Sequence, residues 1–205
     1  MSVPDDPLIF HITHVDNLPA ILAQGGLWSD AERIRRALAS TNIGHVHIKN
    51  RRLQRPVQTS AGGNLGDYVP FNFCPRSVML FVVHRGHQDY QGGQENIIHL
   101  VSSVSRAVGL GRPWAFTDRH ADLGHALYLE DLAQLSEVPW EVMDRDYWAD
   151  VKEERQAEFL VHEFFPWEAV MEIATMTPAV QQRVQGELRQ VQYRPPVALR
   201  PAWYY

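Results

Sequence analysis

The hydrophobic positions of this chain fall in short runs separated by polar stretches containing Gly and Pro, with no long periodic segment. The first run, Leu8-Ile9-Phe10-His11-Ile12-Thr13, predicts a strand. In residues 17–26, Pro19 fits the first turn of a helix and Gly25 the left-handed position past its end, which predicts a helix of about two turns. Residues 30–39 read as a further helix with Arg33, Arg35 and Arg36 on its surface. Residues 42–68 are basic and aperiodic and predict a long irregular loop, a length that usually accompanies function or disorder. Apolar runs at 78–83 and 97–101 are short, β-branched and bounded by Gly and polar residues, predicting two buried strands. From 109 to 148 the pattern dissolves into scattered aromatics, glycines and charges. Residues 158–164 and 171–176 predict two more strands, and Thr177-Pro178-Ala179 opens a polar helix that runs to Gln190. Strands and helices that do not strictly alternate predict an α+β fold rather than a doubly wound sheet. No repeat or long Ser/Gly linker interrupts the chain, so one domain over 1–205 is expected.

With 205 residues, 45% hydrophobic and 21% charged, the chain can bury a full core. Its one cysteine, Cys74, excludes an intrachain disulfide and any zinc site built on two thiolates. The acidic, Pro-containing start, Met1-Ser2-Val3-Pro4-Asp5-Asp6, is the opposite of a secretory leader, and the apolar run Val78–Val83 is far short of the roughly 20 residues of a membrane span. A soluble, cytoplasmic protein with no membrane partner is expected.

The net charge of −5 argues against a general nucleic-acid binder, but the charges are unevenly spread. Between Arg33 and Arg55 lie Arg33, Arg35, Arg36, Lys49, Arg51, Arg52 and Arg55, with His45 and His47 and no acid. Residues 144–172 reverse the balance with nine acids. Only two of the chain's cations are lysines. The planar fork of arginine suits phosphates and base edges, and a GC-rich coding bias gives the same skew. Ten histidines raise the question of a metal. On a strand, His45 and His47 would share a face, yet no third ligand stands at a recognisable spacing and His-Glu-x-x-His is absent, so no metal is expected. Gly62-Gly63-Asn64-Leu65-Gly66 lacks the Lys-Ser/Thr of a phosphate-binding loop, and no nucleophile-elbow or dinucleotide fingerprint occurs.

Several local strings carry more together than singly: Phe10-His11-Ile12-Thr13-His14-Val15-Asp16-Asn17-Leu18, Leu27-Trp28, Ile48-Lys49-Asn50-Arg51-Arg52, Asp67-Tyr68-Val69-Pro70-Phe71-Asn72-Phe73 with Ser77-Val78-Met79-Leu80-Phe81, and Gln156-Ala157-Glu158-Phe159-Leu160-Val161. In this order and spacing they resemble the DarT family, bacterial toxins that ADP-ribosylate DNA bases with NAD. The resemblance covers residues 10–100, resumes at 155–172 and reaches Tyr204-Tyr205, while 105–150, the family's substrate-recognising segment, matches poorly. It implies an ADP-ribosyltransferase-like fold, a central β-sheet core of two packed sheets with flanking helices. It also implies NAD as co-substrate, single-stranded DNA as acceptor, with thymidine modified at the ring nitrogen, and a macrodomain antitoxin of the DarG kind as partner.

The chemistry requires a carboxylate near the ribose, where an oxocarbenium-like transition state develops positive charge. Glu158, at the head of an apolar strand, can be fixed there, although the local pattern alone favours a solvent-facing Glu on an amphipathic edge strand. The resemblance assigns it to catalysis and places His11, Ile12 and Thr13 against NAD, with Asn17 and Trp28 lining the same pocket. Tyr68, Phe71 and Phe73 could stack on nicotinamide or a base, while the alternating spacing of Phe71 and Phe73 fits ordinary core equally well. The family's essential arginine falls on Arg51, credited with removing the acceptor's proton. A guanidinium is a reluctant base, so the alternative is a cationic role, with Arg51 bridging the NAD phosphates or a base carbonyl and stabilising the anion while water or a nearby carboxylate takes the proton. Arg52, on an extended segment, would point away. Lys49, Arg52, Arg55, His45 and His47 are the candidates for a basic groove along single-stranded DNA. RNA or protein acceptors, a non-catalytic nucleic-acid-binding domain and, more remotely, a metal-dependent hydrolase are the competing readings.

Overall fold

The computed structural model describes residues 3–205. Its strands are β1 (Leu8–His14), β2 (Gly26–Trp28), β3 (Tyr68–Asn72), β4 (Ile97–Ser103), β5 (Trp114–His120), β6 (Tyr128–Leu129), β7 (Ala157–His162), β8 (Phe164–Pro166), β9 (Glu172–Thr175) and β10 (Val197–Leu199). Its helices are α1 (Leu18–Ala23), α2 (Asp30–Arg35), α3 (Val46–Arg52), α4 (Val78–Arg85), α5 (Val104–Val108), α6 (Trp140–Met143) and α7 (Pro178–Leu188). Eight strands form one mixed sheet in the order β10-β9-β4-β1-β3-β7-β5-β6, and β2 pairs with β8 in a small second sheet. This is the α+β body with a central sheet and flanking helices that the sequence predicts.

The large sheet is pinched in the middle. β1 pairs with β4 along its whole length, from Leu8↔Ser103 to His14↔Ile97, but meets β3 only at Phe10↔Asn72. The residues of β1 beyond Phe10 therefore part from β3, and backbone polar groups freed at the split need other partners. His11 supplies one: its Nδ1 lies 2.8 Å from the Pro70 carbonyl.

Local chemistry explains most elements. Pro19 sits in the first turn of α1, and Gly25 ends that helix at φ +69°. Thr177 caps α7 through its hydroxyl, 3.3 Å from the Val180 N–H, and Val180, Val184 and Leu188, one turn apart, bury the inner face. Two expectations are corrected. Residues 78–85 are a helix, not a strand: Ser77 accepts the Leu80 N–H at 3.2 Å, and Leu80 and Val83 pack against Ile97 and Tyr204. Residues 42–68 are not wholly irregular either, because α3 occupies their centre with no residue fully buried. The main core joins both halves of the sheet through Ile9, Phe71, Phe159 and Phe165 and is closed by α7 and α6. Among the described residues no helix is long and apolar enough to cross a membrane.

Candidate active site

A cleft of about 390 Å³ opens where β1 and β3 part, within the size range of small-molecule sites. β7 lies on the other side of β3, and its register places Glu158 opposite Asn72, which carries this carboxylate into the cleft lining. The β5–β7 ladder is irregular between Phe116 and His120, a break that re-aims side chains and frees backbone groups. There the Thr117 hydroxyl accepts the Glu158 N–H at 3.0 Å, and the Ala121 N–H donates to Glu158 Oε1 at 3.2 Å. From the last turn of α3, Arg52 donates Nη1 and Nη2 to the two carboxylate oxygens at 2.9 and 2.8 Å. Fork and carboxylate thus meet in the bidentate geometry that gives the strongest such pairs.

Burial alone would raise the Glu158 pKa. The Arg52 charge and its hydrogen bonds, with lesser help from His120 and the Ala121 N–H, more than offset it and hold the carboxyl below its ordinary value. Arg52 moves the other way, above its ordinary value, since Glu158 outweighs its own burial. Both shifts favour the ionised pair. His120 Nε2 stands 3.9 Å from Glu158 Oε1, and burial lowers its pKa despite that neighbour. At neutral pH the cleft floor therefore holds an anionic Glu158 and a neutral His120.

The expected co-substrate residues divide. His11, Ile12, Thr13, Asn17, Trp28 and Phe71 line the cleft. Burial lowers the His11 pKa, so its ring is neutral, donating Nδ1–H to Pro70 and leaving Nε2 free to accept. Asn17 donates to the Thr13 hydroxyl at 3.0 Å and clamps the Thr41 peptide, donating to its carbonyl at 3.0 Å and accepting its N–H at 2.7 Å. It thereby ties the strand to the segment that closes the cleft. Trp28 packs on Phe164 with the Arg36 guanidinium 3.6 Å from its ring centroid, and its buried indole Nε1 has no acceptor in the protein. Phe71 lines the cleft while packing on Phe165 in the core. Tyr68, three residues before Phe71, lies on the opposite face of β3; its hydroxyl donates to the Gly62 carbonyl at 2.8 Å, and it packs with Leu65 and Leu160 away from the cleft.

The basic segment also differs from its expectation. Because 46–52 is helical, Arg52 does not point away from the site: it holds Glu158. Arg51 lies outside the cleft lining, its side chain 57% exposed, and bonds the buried Asp122 carboxylate through Nε and Nη2. Arg51 and Glu158 nevertheless meet the same turn, since Asp122 follows the Ala121 that donates to Glu158. Arg55 reaches Asp122 as well, by its carbonyl at 2.5 Å and its Oδ1 at 3.8 Å. His45 and Lys49 line the cleft; His47 is exposed outside it and shares no strand face with His45. All seven cations of this stretch contact acids: Arg33 and Lys49 share Asp30, Arg35 and Arg36 share Glu32, Arg51 and Arg55 share Asp122, and Arg52 takes Glu158. Seven cations on four carboxylates leave a surplus of three, a modestly positive rim rather than a bare basic groove.

Arg52's hold on Glu158, His120, Thr117 and Asp122 all escaped the sequence reading. The last three come from β5 and the turn after it, where the one available signal was the short run Trp114-Ala115-Phe116-Thr117.

An ionised, arginine-held glutamate in a nucleotide-sized cleft, set where a central sheet divides, defines the class as an ADP-ribosyltransferase-like fold. The family model described as ssDNA thymidine ADP-ribosyltransferase, DarT, matches residues 10–205. The chain is 42% identical over 207 residues to a DNA ADP-ribosyl transferase of Thermus aquaticus, covering all of this chain and 92% of that protein. It superposes with a TM-score of 0.95 on Thermus sp. 2.9 DarT in complex with ADP-ribosylated ssDNA, at 41% identity, covering 100% and 99% of the two chains. The same Thermus protein in complex with NAD+ gives a TM-score of 0.89 at 40% identity over the full length of both. The chain belongs to the DarT family of ssDNA thymidine ADP-ribosyltransferases.

Proposed function

We propose that this protein transfers ADP-ribose from NAD to thymidine in single-stranded DNA, as one transferase domain spanning 1–205. The observation that carries the proposal is Glu158, buried yet ionised in the cleft with Arg52 on both of its oxygens. NAD supplies the nicotinamide–ribose bond whose rupture frees an ADP-ribosyl electrophile. His11 Nε2 and the Thr13 and Asn17 side chains are the polar groups of the lining to hold and orient it, with Trp28 and Phe71 as apolar walls. Glu158 provides fixed negative charge for the positive charge that develops on the ribose, with no reorganisation needed as it appears.

On the acceptor side, Arg51 is held by the Asp122 carboxylate, which supports a cationic role: stabilising the anion formed as the base loses its ring N–H. His120, neutral and in the cleft lining beside Glu158, supports a proton-accepting role in that step. His45, Lys49 and Arg52 line the cleft and Arg55 lies outside its lining, and the surplus of cations over acids around residues 33–55 supports a short DNA strand rather than a duplex. The thymine ring nitrogen lies on the Watson–Crick edge and is out of reach while paired. A DNA acceptor supports a cytoplasmic site of action. The family resemblance supports the role of a toxin whose mark a DarG-like macrodomain partner removes.

The test is incubation with NAD and a thymine-containing single strand, the same strand annealed, a thymine-free strand, an RNA and a protein lysate, with added mass read by mass spectrometry. One ADP-ribose on the single strand alone is expected. Equal labelling of the duplex, or label only on RNA or protein, overturns the reading.

A further inference from the structure

His45 and His47 have no third ligand within reach in the sequence, but the fold brings one from elsewhere. The turn after α4 carries His87 and Asp89 against His45, the residue that precedes α3, so that one ligand atom from each lies within 4.8 Å of the others. We propose that His45, His87 and Asp89 bind a divalent transition metal of the zinc class, a structural ion at the cleft rim that takes no part in ADP-ribosyl transfer.

The donor atoms are already close to coordination spacing. His45 Nδ1 lies 3.6 Å and His87 Nδ1 3.9 Å from Asp89 Oδ2. Ligands about 2.0–2.2 Å from a tetrahedral zinc stand roughly 3.3–3.5 Å apart, so both histidine–carboxylate spacings are within a few tenths of an ångström of a bound geometry, with the two imidazole nitrogens within 4.8 Å of each other. His87 Nε2 is 3.1 Å from the Ile43 carbonyl, which can only accept. The ring must therefore donate from Nε2 and turn its Nδ1 lone pair to the cluster, the arrangement by which a carbonyl fixes a ligating histidine. The Asp89 N–H reaches that lone pair at 3.3 Å, a long contact that an ion would replace. An independent observation is His45 Nδ1, a buried atom with no hydrogen-bond partner in the protein. The His45 and His87 rings lie 4.0 Å apart between centroids.

Asp89 Oδ2 also receives the Val46 N–H at 3.2 Å, so the same carboxylate caps α3. Two imidazoles and one carboxylate suit zinc rather than magnesium or calcium, and leave the fourth position to water. An ion here would fasten the start of α3, which carries Arg51 and Arg52, to the loop after α4.

The test uses the full, tag-free chain stripped of metal and titrated with zinc sulfate by calorimetry, beside His87→Gln and Asp89→Asn. Asparagine retains the helix cap while losing the charged ligand, so at least one variant keeps α3 intact. The wild type is expected to bind one Zn²⁺ per chain and each variant at least tenfold more weakly. Cobalt loading is expected to give visible absorption bands of a four-coordinate site that both variants lose. The absence of stoichiometric binding by the wild type, or zinc binding by both variants with undiminished affinity, would overturn the assignment.

Discussion

The substitution Arg52→Met removes the partner of Glu158 while keeping an apolar stem of similar length. The two side chains are 12% and 7% exposed, so the stranded carboxylate has little access to water. Breaking a buried pair of this kind costs about 3–5 kcal/mol, because the remaining charge keeps its desolvation penalty and loses its compensation. In the wild type the Glu158 carboxyl lies below its ordinary value, so the pair's contribution is fully present above the unfolded pKa of about 4.3 and is lost as pH falls through the lower folded value. In the variant the sign reverses. Burial without the guanidinium lifts the folded pKa above the unfolded one, and the penalty is largest at neutral pH and shrinks as acid protonates the carboxyl. Urea unfolding at neutral pH and near pH 4 reads both effects. Adding Glu158→Gln to Arg52→Met removes the charge and should recover most of the loss at neutral pH. A loss below about 1 kcal/mol for the single variant, or no recovery in the double, would refute the claim that Arg52 is what keeps Glu158 ionised.

His99 is fully buried, and burial pushes its pKa down to about 4 against the Pro75 carbonyl's opposing pull. Its neutral form therefore stabilises the fold above the unfolded value near 6.5, and about 3 kcal/mol should be lost as pH falls from there towards 4. His99→Gln should flatten that part of a stability–pH curve. Gly26 has φ +153°, and a Cβ there would run into the Phe165 carbonyl and the Pro166 backbone across the small sheet. Gly26→Ala should lower the unfolding free energy by about 2 kcal/mol or more and weaken NAD binding through Trp28, both measurable on the purified chain. With the His120 pKa below its ordinary value, transfer should decline only as pH drops through that lowered value, and His120→Asn should reduce the rate and abolish this acid limb.

Strands β1, β4, β7 and β9 were legible because short β-branched runs bounded by turn residues leave few other options, and α1 and α7 because Pro, Thr and Gly mark their ends. α4 was misread since Val78-Met79-Leu80-Phe81-Val82-Val83 is apolar on every face and period cannot separate helix from strand there; the Ser77 cap was the overlooked cue. α3 has no buried face to create a period, and its cap comes from Asp89, remote in sequence. That one misreading sent Arg52 away from the cleft. Glu158 was legible only through the chain's resemblance to a family, because a lone Glu before an apolar run fits a solvent-facing edge strand better. Asp122 and His120 depend on an irregular ladder after Phe116, a feature of tertiary pairing that no local pattern announces.

The most direct test compares Glu158→Gln with the wild type, measuring NAD affinity and the rate of ADP-ribose transfer to a thymine-bearing single strand in the same preparation. A carboxylate that acts on developing charge predicts NAD affinity within about threefold of wild type and a rate at least about 100-fold lower. A variant that binds NAD normally and transfers at the wild-type rate would contradict the account.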